Sequence, residues 1–130
     1  MSQSFDDHTL KGRKLVQIAL TTRDIERSRH FYRDVLGLPL LFEAPRMLFF
    51  DVAGVRLLIG SENPEGEPGG SILYFDAPDI GALASALESR GVNFHGPAQV
   101  VQRTESHNLT IRAFRDPDGN TLQLMGMVKR

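Results

Sequence analysis

The chain has 130 residues, which is enough for one domain with a hydrophobic core of its own. Its net charge is −1 at pH 7, and basic and acidic residues are balanced in both halves, so we expect neither nucleic acid nor a membrane as a partner. The absence of cysteine excludes disulfides, thiolate metal sites and thiol nucleophiles. Because no apolar run reaches the roughly 18 residues of a membrane span and no signal peptide is recognisable, we expect a cytoplasmic protein.

The first half of the chain predicts a strand, a helix and three further strands. Residues 1–13 are polar and aperiodic, which predicts a flexible N-terminal arm before a single domain over residues 14–130. Alternating apolar residues in Leu15–Thr21 predict a strand. Asp24 is placed to cap a helix that Gly37 ends. Three apolar segments separated by turn residues predict a meander of strands: Leu38–Glu43, Arg46–Val52 and Val55–Gly60.

The second half repeats this order after a linker. Residues 61–70 contain three glycines and two prolines, and we interpret them as the linker between modules 14–60 and 71–126. A strand is predicted at Ser71–Phe75, followed by a helix that begins after Asp79 and ends at Gly91. Further strand segments are predicted at Phe94, Ala98–Gln102, Leu109–Arg115 and Asn120–Met125.

Matching motifs in the two halves indicate an internal duplication. Gly37 and Gly91 lie 54 residues apart, and Asp51-x-x-Gly54 matches Asp116-x-x-Gly119 at a separation of 65. The spacing drifts as it would if loop lengths had changed after a duplication. The predicted fold is therefore an α+β domain of two βαβββ modules. The alternative is a two-helix α+β sandwich without a repeat.

Several of these segments resemble one known family. The first is Gln17-Ile18-Ala19-Leu20 with Asp24-Ile25 and Phe31-Tyr32-x-x-Val35-Leu36-Gly37, and the second is Phe114-x-Asp116-Pro117-Asp118-Gly119-Asn120. In this order they resemble the glyoxalase/bleomycin-resistance/dioxygenase family, the vicinal oxygen chelate superfamily, over about Leu15–Met125. The resemblance implies two modules curled into an open cup-shaped β-barrel with helices outside, and commonly a homodimer. Members of the family are lyases, isomerases, ring-cleaving dioxygenases, thiol transferases or proteins that sequester a drug.

The resemblance also implies where a metal would be held. In metal-using members, four side chains that point into the cup bind a divalent ion, and the equivalent positions here are Gln17, Leu58, Ser71 and Gln123. This set contains no imidazole and no carboxylate, so we expect no metal and no other cofactor at this position. The remaining route to a metal is recruitment of Glu105 or His107.

The same positions suggest a binding pocket for a small molecule. Two glutamines can together bind a ligand carbonyl, amide or hydroxyl, or else they pair with each other or with an ordered water. Arg112 either binds an anionic group or is a surface charge, and Arg56 is open to the same two interpretations. His107 is a weak candidate for a general base, against the reading of a solvated loop histidine. The predicted pocket residues are Gln17, Leu58, Ser71, Phe75, Arg112 and Gln123.

Three functions are consistent with these observations. The leading prediction is a homodimeric small-molecule-binding protein of this superfamily whose metal-ligand set is depleted. The alternative is a divalent-metal-dependent lyase of the glyoxalase type, or a ring-cleaving dioxygenase, with non-standard ligands. The third is a purely structural or partner-binding domain with a collapsed cup, in which Gln17 and Gln123 are bonded to each other. The sequence decides neither the identity of the ligand nor whether the protein is catalytic.

Overall fold

Two four-stranded sheets, each with one helical segment, make up the computed structural model, which describes residues 8–61 and 71–130. Residues 1–7 of the predicted arm and 62–70 of the predicted linker lie outside the described residues. None of the described helices is both long and apolar enough to cross a membrane.

The first sheet follows the order β1-β4-β3-β2, in which β1 is parallel to β4 and the other neighbours are antiparallel. Asp24 caps the helix between β1 and β2 by accepting a hydrogen bond from the backbone N of Arg27 at 3.1 Å. Gly37 ends the helical segment with φ of 77°. The elements are β1 Gln17–Thr21, α1 Ile25–Arg29 with its π-helical continuation His30–Val35, β2 Leu40–Ala44, β3 Met47–Val52 and β4 Val55–Gly60.

The second sheet repeats the first in the order β5-β8-β7-β6, again with its first and last strands parallel. Asp79 caps the helix through the backbone N of Ala82 at 3.1 Å, and Gly91 follows the helix with φ of 103°. The elements are β5 Ile72–Asp76, α2 Ile80–Ser89, β6 Gln99–Arg103, β7 His107–Arg115 and β8 Thr121–Lys129. The predicted α+β fold of two βαβββ modules is confirmed, and the sheets do not close into a barrel.

Two local features differ from the sequence prediction. The first helix widens into a π-helical turn, closed by a hydrogen bond from Leu36 N to Phe31 O at 2.9 Å. β6 extends one residue beyond its predicted end and β7 begins two residues before its predicted start, so residues 104–106 form the tip of the β6–β7 hairpin. Thr104 and His107 close this tip, and β8 continues alongside β7 as far as Lys129.

The helix-facing sides of both sheets share one hydrophobic core. Leu48 and Phe50 of β3 are buried there, as are Leu122 and Leu124 of β8. Because side chains alternate along a strand, the residues between them point away from the helices. We call this other side of each sheet its open face, and it carries several of the candidate site residues described below.

A buried polar cluster joins the two modules. Asp116 accepts a hydrogen bond from the hydroxyl of Tyr32 at 2.7 Å. Asp118 accepts from the hydroxyl of Thr22 at 2.6 Å and from the backbone N of Arg23 at 2.8 Å, and it forms an ion pair with Arg27 at 3.1 Å. Burial raises the pKa of the Tyr32 phenol, and the nearby carboxylate of Asp116 is the second cause of this increase. The hydroxyl therefore remains a donor at neutral pH. The turn of the second module is therefore fixed to the first helix by directional bonds.

Candidate functional site

The open face of the first sheet presents a cation held against two aromatic rings. Phe42 and Phe49 pair across β2 and β3 and stack at 4.3 Å between ring centroids, with their planes 18° apart. The guanidinium carbon of Arg56 lies 5.5 Å from the Phe49 centroid and 6.0 Å from the Phe42 centroid. Arg56 Nε donates to Gln17 Oε1 at 2.8 Å. Gln17 therefore orients a positive charge on this face.

The open face of the second sheet contains a buried amide beside a cavity. Gln123 pairs with Tyr74 of β5 and with Ala113 of β7. Its Oε1 atom is buried and has no hydrogen-bond partner among the described residues. A cavity of about 120 Å³ lies beside it, lined by His95, Pro97, Gln99, Ile111, Arg112, Ala113 and Gln123. Buried polar atoms nearly always find a partner, so this oxygen needs a donor from water or a ligand.

The two glutamines do not form the mutual pair that a collapsed cup requires. The amide oxygen of Gln17 accepts from Arg56, and that of Gln123 has no partner in the described part of the chain. All lining residues of the Gln123 cavity belong to the second module. Within one chain, the two amides thus serve separate open faces.

Leu58 and Ser71 differ in how they relate to these faces. Leu58 lies on the first open face, paired with Ala19. Ser71 is exposed and immediately precedes β5. Ile72 is the first residue of β5, as Gln17 is the first residue of β1. Ile72 lies two residues before Tyr74, the partner of Gln123, and Gln17 lies two residues before Ala19, the partner of Leu58.

Phe75 and Arg112 lie mainly on the helix side. Phe75 pairs with the buried Leu124 and borders two apolar cavities, neither of which includes Gln123. Arg112 borders the Gln123 cavity, but its guanidinium is engaged elsewhere. Its Nε donates to the carbonyl of Gly96 at 3.1 Å, and its guanidinium carbon lies 4.5 Å from the ring centroid of Phe94. The six predicted pocket residues are thus divided between two modules and two faces.

His107 lies at the tip of the β6–β7 hairpin. Its Nδ1 is 2.7 Å from the hydroxyl of Ser106, and its backbone pairs with Lys129 at the end of β8. His107 lies six positions before Ala113, the partner of Gln123, which corresponds to about 20 Å along β7. The structure therefore does not place His107, the weak candidate for a general base, near Gln123.

The residues at the family's metal positions do not fit a divalent ion. The amide oxygen of Gln17 is occupied by a cationic guanidinium, Leu58 has no donor atom, and Gln123 offers only a neutral amide. Across residues 8–61 and 71–130, no group of three or more His, Cys, Asp or Glu side chains is placed to hold a metal. The positive charge on the first open face comes from Arg56 instead.

Parts of these surfaces were missed by sequence reasoning. Phe42 and His95 were not among the predicted pocket residues. The pairing of Phe42 with Phe49 depends on a register shift between Leu40 and Phe42, which alternation along one strand does not reveal. The signal that could have found Phe42 is an aromatic residue on each strand of the predicted β2–β3 hairpin, at Phe42 and Phe49.

Two βαβββ modules with polar side chains on their open faces define a protein of the glyoxalase fold. The profile of the Glyoxalase/Bleomycin resistance protein/Dioxygenase superfamily matches residues 14–124, and the chain belongs to this superfamily. The resemblance noted in the sequence is therefore confirmed.

Individual relatives include proteins with and without a stated activity. The chain is 28% identical over 130 residues to the uncharacterized protein YraH of Bacillus subtilis (strain 168), covering 88% of this chain and 99% of that protein. TnmS3, an antibiotic binding protein from Streptomyces sp. CB03234, superposes with a TM-score of 0.71 at 26% identity, over 88% of this chain and 95% of that chain. The lactoylglutathione lyase from Agrobacterium tumefaciens superposes with a TM-score of 0.71 at 20% identity, over 88% and 93% of the two chains, a likeness of fold alone.

Proposed function

We propose that this protein binds a small organic molecule on its open faces and does so without a resident metal. The observation that carries the proposal is the buried, unpartnered Oε1 of Gln123 at the wall of a cavity of about 120 Å³. A ligand N–H or O–H would satisfy this atom and be fixed in orientation by it. The likeness to an antibiotic binding protein at 26% identity supports a binding role.

The proposed binding protein is a homodimer in which a second copy supplies the opposite wall of each cup. Each open face belongs to one module, and both leave large apolar side chains in solvent: Phe42 is 48% exposed, Ile72 50% and Tyr74 52%. Light scattering coupled to size-exclusion chromatography should give twice the mass of the chain at micromolar concentration. A monomer that still binds ligand would contradict this arrangement.

Calorimetric titration of purified protein tests the binding proposal. The probes are bleomycin, because the family is named in part for resistance to it, and 2-naphthamide, a neutral aromatic amide whose NH₂ can donate to Gln123. Binding of at least one probe should survive treatment with EDTA. Failure of both probes and of the aromatic anion 2-naphthoate, or binding that requires stoichiometric zinc, nickel, iron or manganese, would contradict the proposal.

Replacing Gln123 with leucine should separate binding from stability. Gln123→Leu removes an unsatisfied buried oxygen, so the free energy of unfolding should stay constant or rise by up to about 1 kcal/mol. The affinity for 2-naphthamide should fall about tenfold, because the acceptor for its NH₂ is lost. Gln102→Leu, at an exposed glutamine of β6, is the matched control and should change neither quantity. Unchanged affinity with reduced stability would assign Gln123 a structural role only.

A further inference from the structure

The guanidinium of Arg56 is restrained on the first open face. Its Nε donates a hydrogen bond to Gln17 Oε1 at 2.8 Å. Its guanidinium carbon lies 6.0 Å from the ring centroid of Phe42 and 5.5 Å from that of Phe49. An arginine held by a neutral amide and by aromatic rings keeps its full positive charge, since neither partner neutralises it. These contacts fix the position of the Arg56 guanidinium but do not neutralise its charge.

The outer nitrogens of Arg56 remain available to a ligand. No carboxylate lies within 4.0 Å of its guanidinium in the described parts of the chain, and neither Nη1 nor Nη2 has a hydrogen-bond acceptor there. Asp51 pairs with Arg56 across β3 and β4, but its carboxylate accepts from the backbone N of Gly54 at 3.1 Å. Other arginines of the chain are occupied differently: Arg27 pairs with Asp118, and Arg29 pairs with Glu26 and Glu43.

The surroundings of Arg56 suit one chemical class of ligand. One N–H from each of the two outer nitrogens of a guanidinium can match the two oxygens of a carboxylate in a bidentate pair. The ring of Phe42, 48% exposed beside this cation, offers a flat apolar surface on which an aromatic ring can stack. Both features lie on the same open face.

We infer that the ligand is an aromatic anion, which binds its carboxylate to the outer nitrogens of Arg56 and stacks its ring on Phe42. This inference rests on the proposed small-molecule-binding function and names its ligand class. The cationic side chain supplies the positive charge that a divalent ion supplies in metal-using members of the family. Gln17 acts as the positioning residue that holds the guanidinium.

The test compares two probes of nearly equal shape, the anion 2-naphthoate and the neutral 2-naphthamide. Titration calorimetry at pH 7 should show that the unaltered protein binds 2-naphthoate about tenfold more tightly than 2-naphthamide, the gain of a charge-assisted pair. Arg56→Met retains much of the apolar stem and removes the charge, so the ratio of the two affinities should fall to about one. Arg103→Met, at an exposed arginine of β6, is the control and should leave the ratio unchanged.

The outcomes separate this inference from the proposed function. Equal affinity for both probes in the unaltered protein, or a preference for 2-naphthoate that persists in Arg56→Met, overturns the inference and leaves small-molecule binding intact. Absence of 2-naphthoate binding overturns it as well. Absence of binding by 2-naphthoate, 2-naphthamide and bleomycin together overturns the proposed function itself. A thermal melt of each variant shows that a changed ratio comes from folded protein.

Discussion

Gly126→Ala should lower the free energy of unfolding by about 2–3 kcal/mol, the cost of forcing a side chain into filled space. A Cβ at position 126 would lie 2.1 Å from the carbonyl oxygen of Ala77 and 3.1 Å from its carbonyl carbon. The obstacle is backbone, and Ala77 cannot easily retreat because its N donates to the carbonyl of Met125 at 2.8 Å. Ala77 precedes the N-cap Asp79, so a shift there would also displace the start of α2. Urea denaturation followed by circular dichroism measures the change.

Gly60→Ala is the matched control for this prediction. Gly60 also lies in a strand between two neighbours, paired with Thr21 and Met47. A Cβ there would be 3.7 Å from Met47 Cγ and 3.8 Å from the carbonyl oxygen of Arg46, which is ordinary contact. The free energy of unfolding should therefore change by no more than about 0.5 kcal/mol. Equal decreases in the free energy of unfolding for Gly126→Ala and Gly60→Ala would contradict the explanation by the close approach of Ala77 to position 126.

Most elements of the fold could be predicted from the sequence because their signals are local. Asp24 and Asp79 each cap the helix that follows them, and Gly37 and Gly91 each end a helical segment with positive φ, as their positions indicated. Other features depend on partners far away in the chain. The extension of β8 to Lys129 requires pairing with His107, which the composition of the segment does not reveal. Contacts of this kind are set by the tertiary structure.

The candidate site was less predictable than the fold because strand faces depend on register. A shift of one residue moves a side chain to the opposite face of a sheet. Ser71 and Ile72 differ by that single step, and only Ile72 lies within the strand that pairs with β8. Arg112 was predicted as a pocket residue, yet its Nε donates to the carbonyl of Gly96. Gln17 and Gln123 could be predicted on the pocket-facing side of their sheets, because the family-equivalent positions fall inside strands.

Asp116→Ala should lower the free energy of unfolding by about 3 kcal/mol, because it leaves buried donors without an acceptor. Asp116 is 5% exposed and accepts from the Tyr32 hydroxyl and from Asn120 Nδ2, both at 2.7 Å. It also accepts from the backbone N of Asp118 at 2.9 Å and of Asn120 at 2.8 Å. The phenol loses its partner inside the junction between the modules, where Tyr32 has no exposed surface. Chemical denaturation followed by circular dichroism gives the loss.

Asp51→Ala tests whether the stability lost in Asp116→Ala comes from the contacts between the two modules or from the turn that contains the aspartate. Asp51 holds the matching place in the first module, and its carboxylate accepts from the backbone N of Gly54 at 3.1 Å. Its replacement should cost about 1 kcal/mol or less. Tyr32→Phe should add little to Asp116→Ala, since both remove the same bond, whereas additive losses in this double-mutant cycle would contradict the assignment. A loss of stability confined to Asp116→Ala would show that one buried carboxylate fastens the second module to the helix of the first.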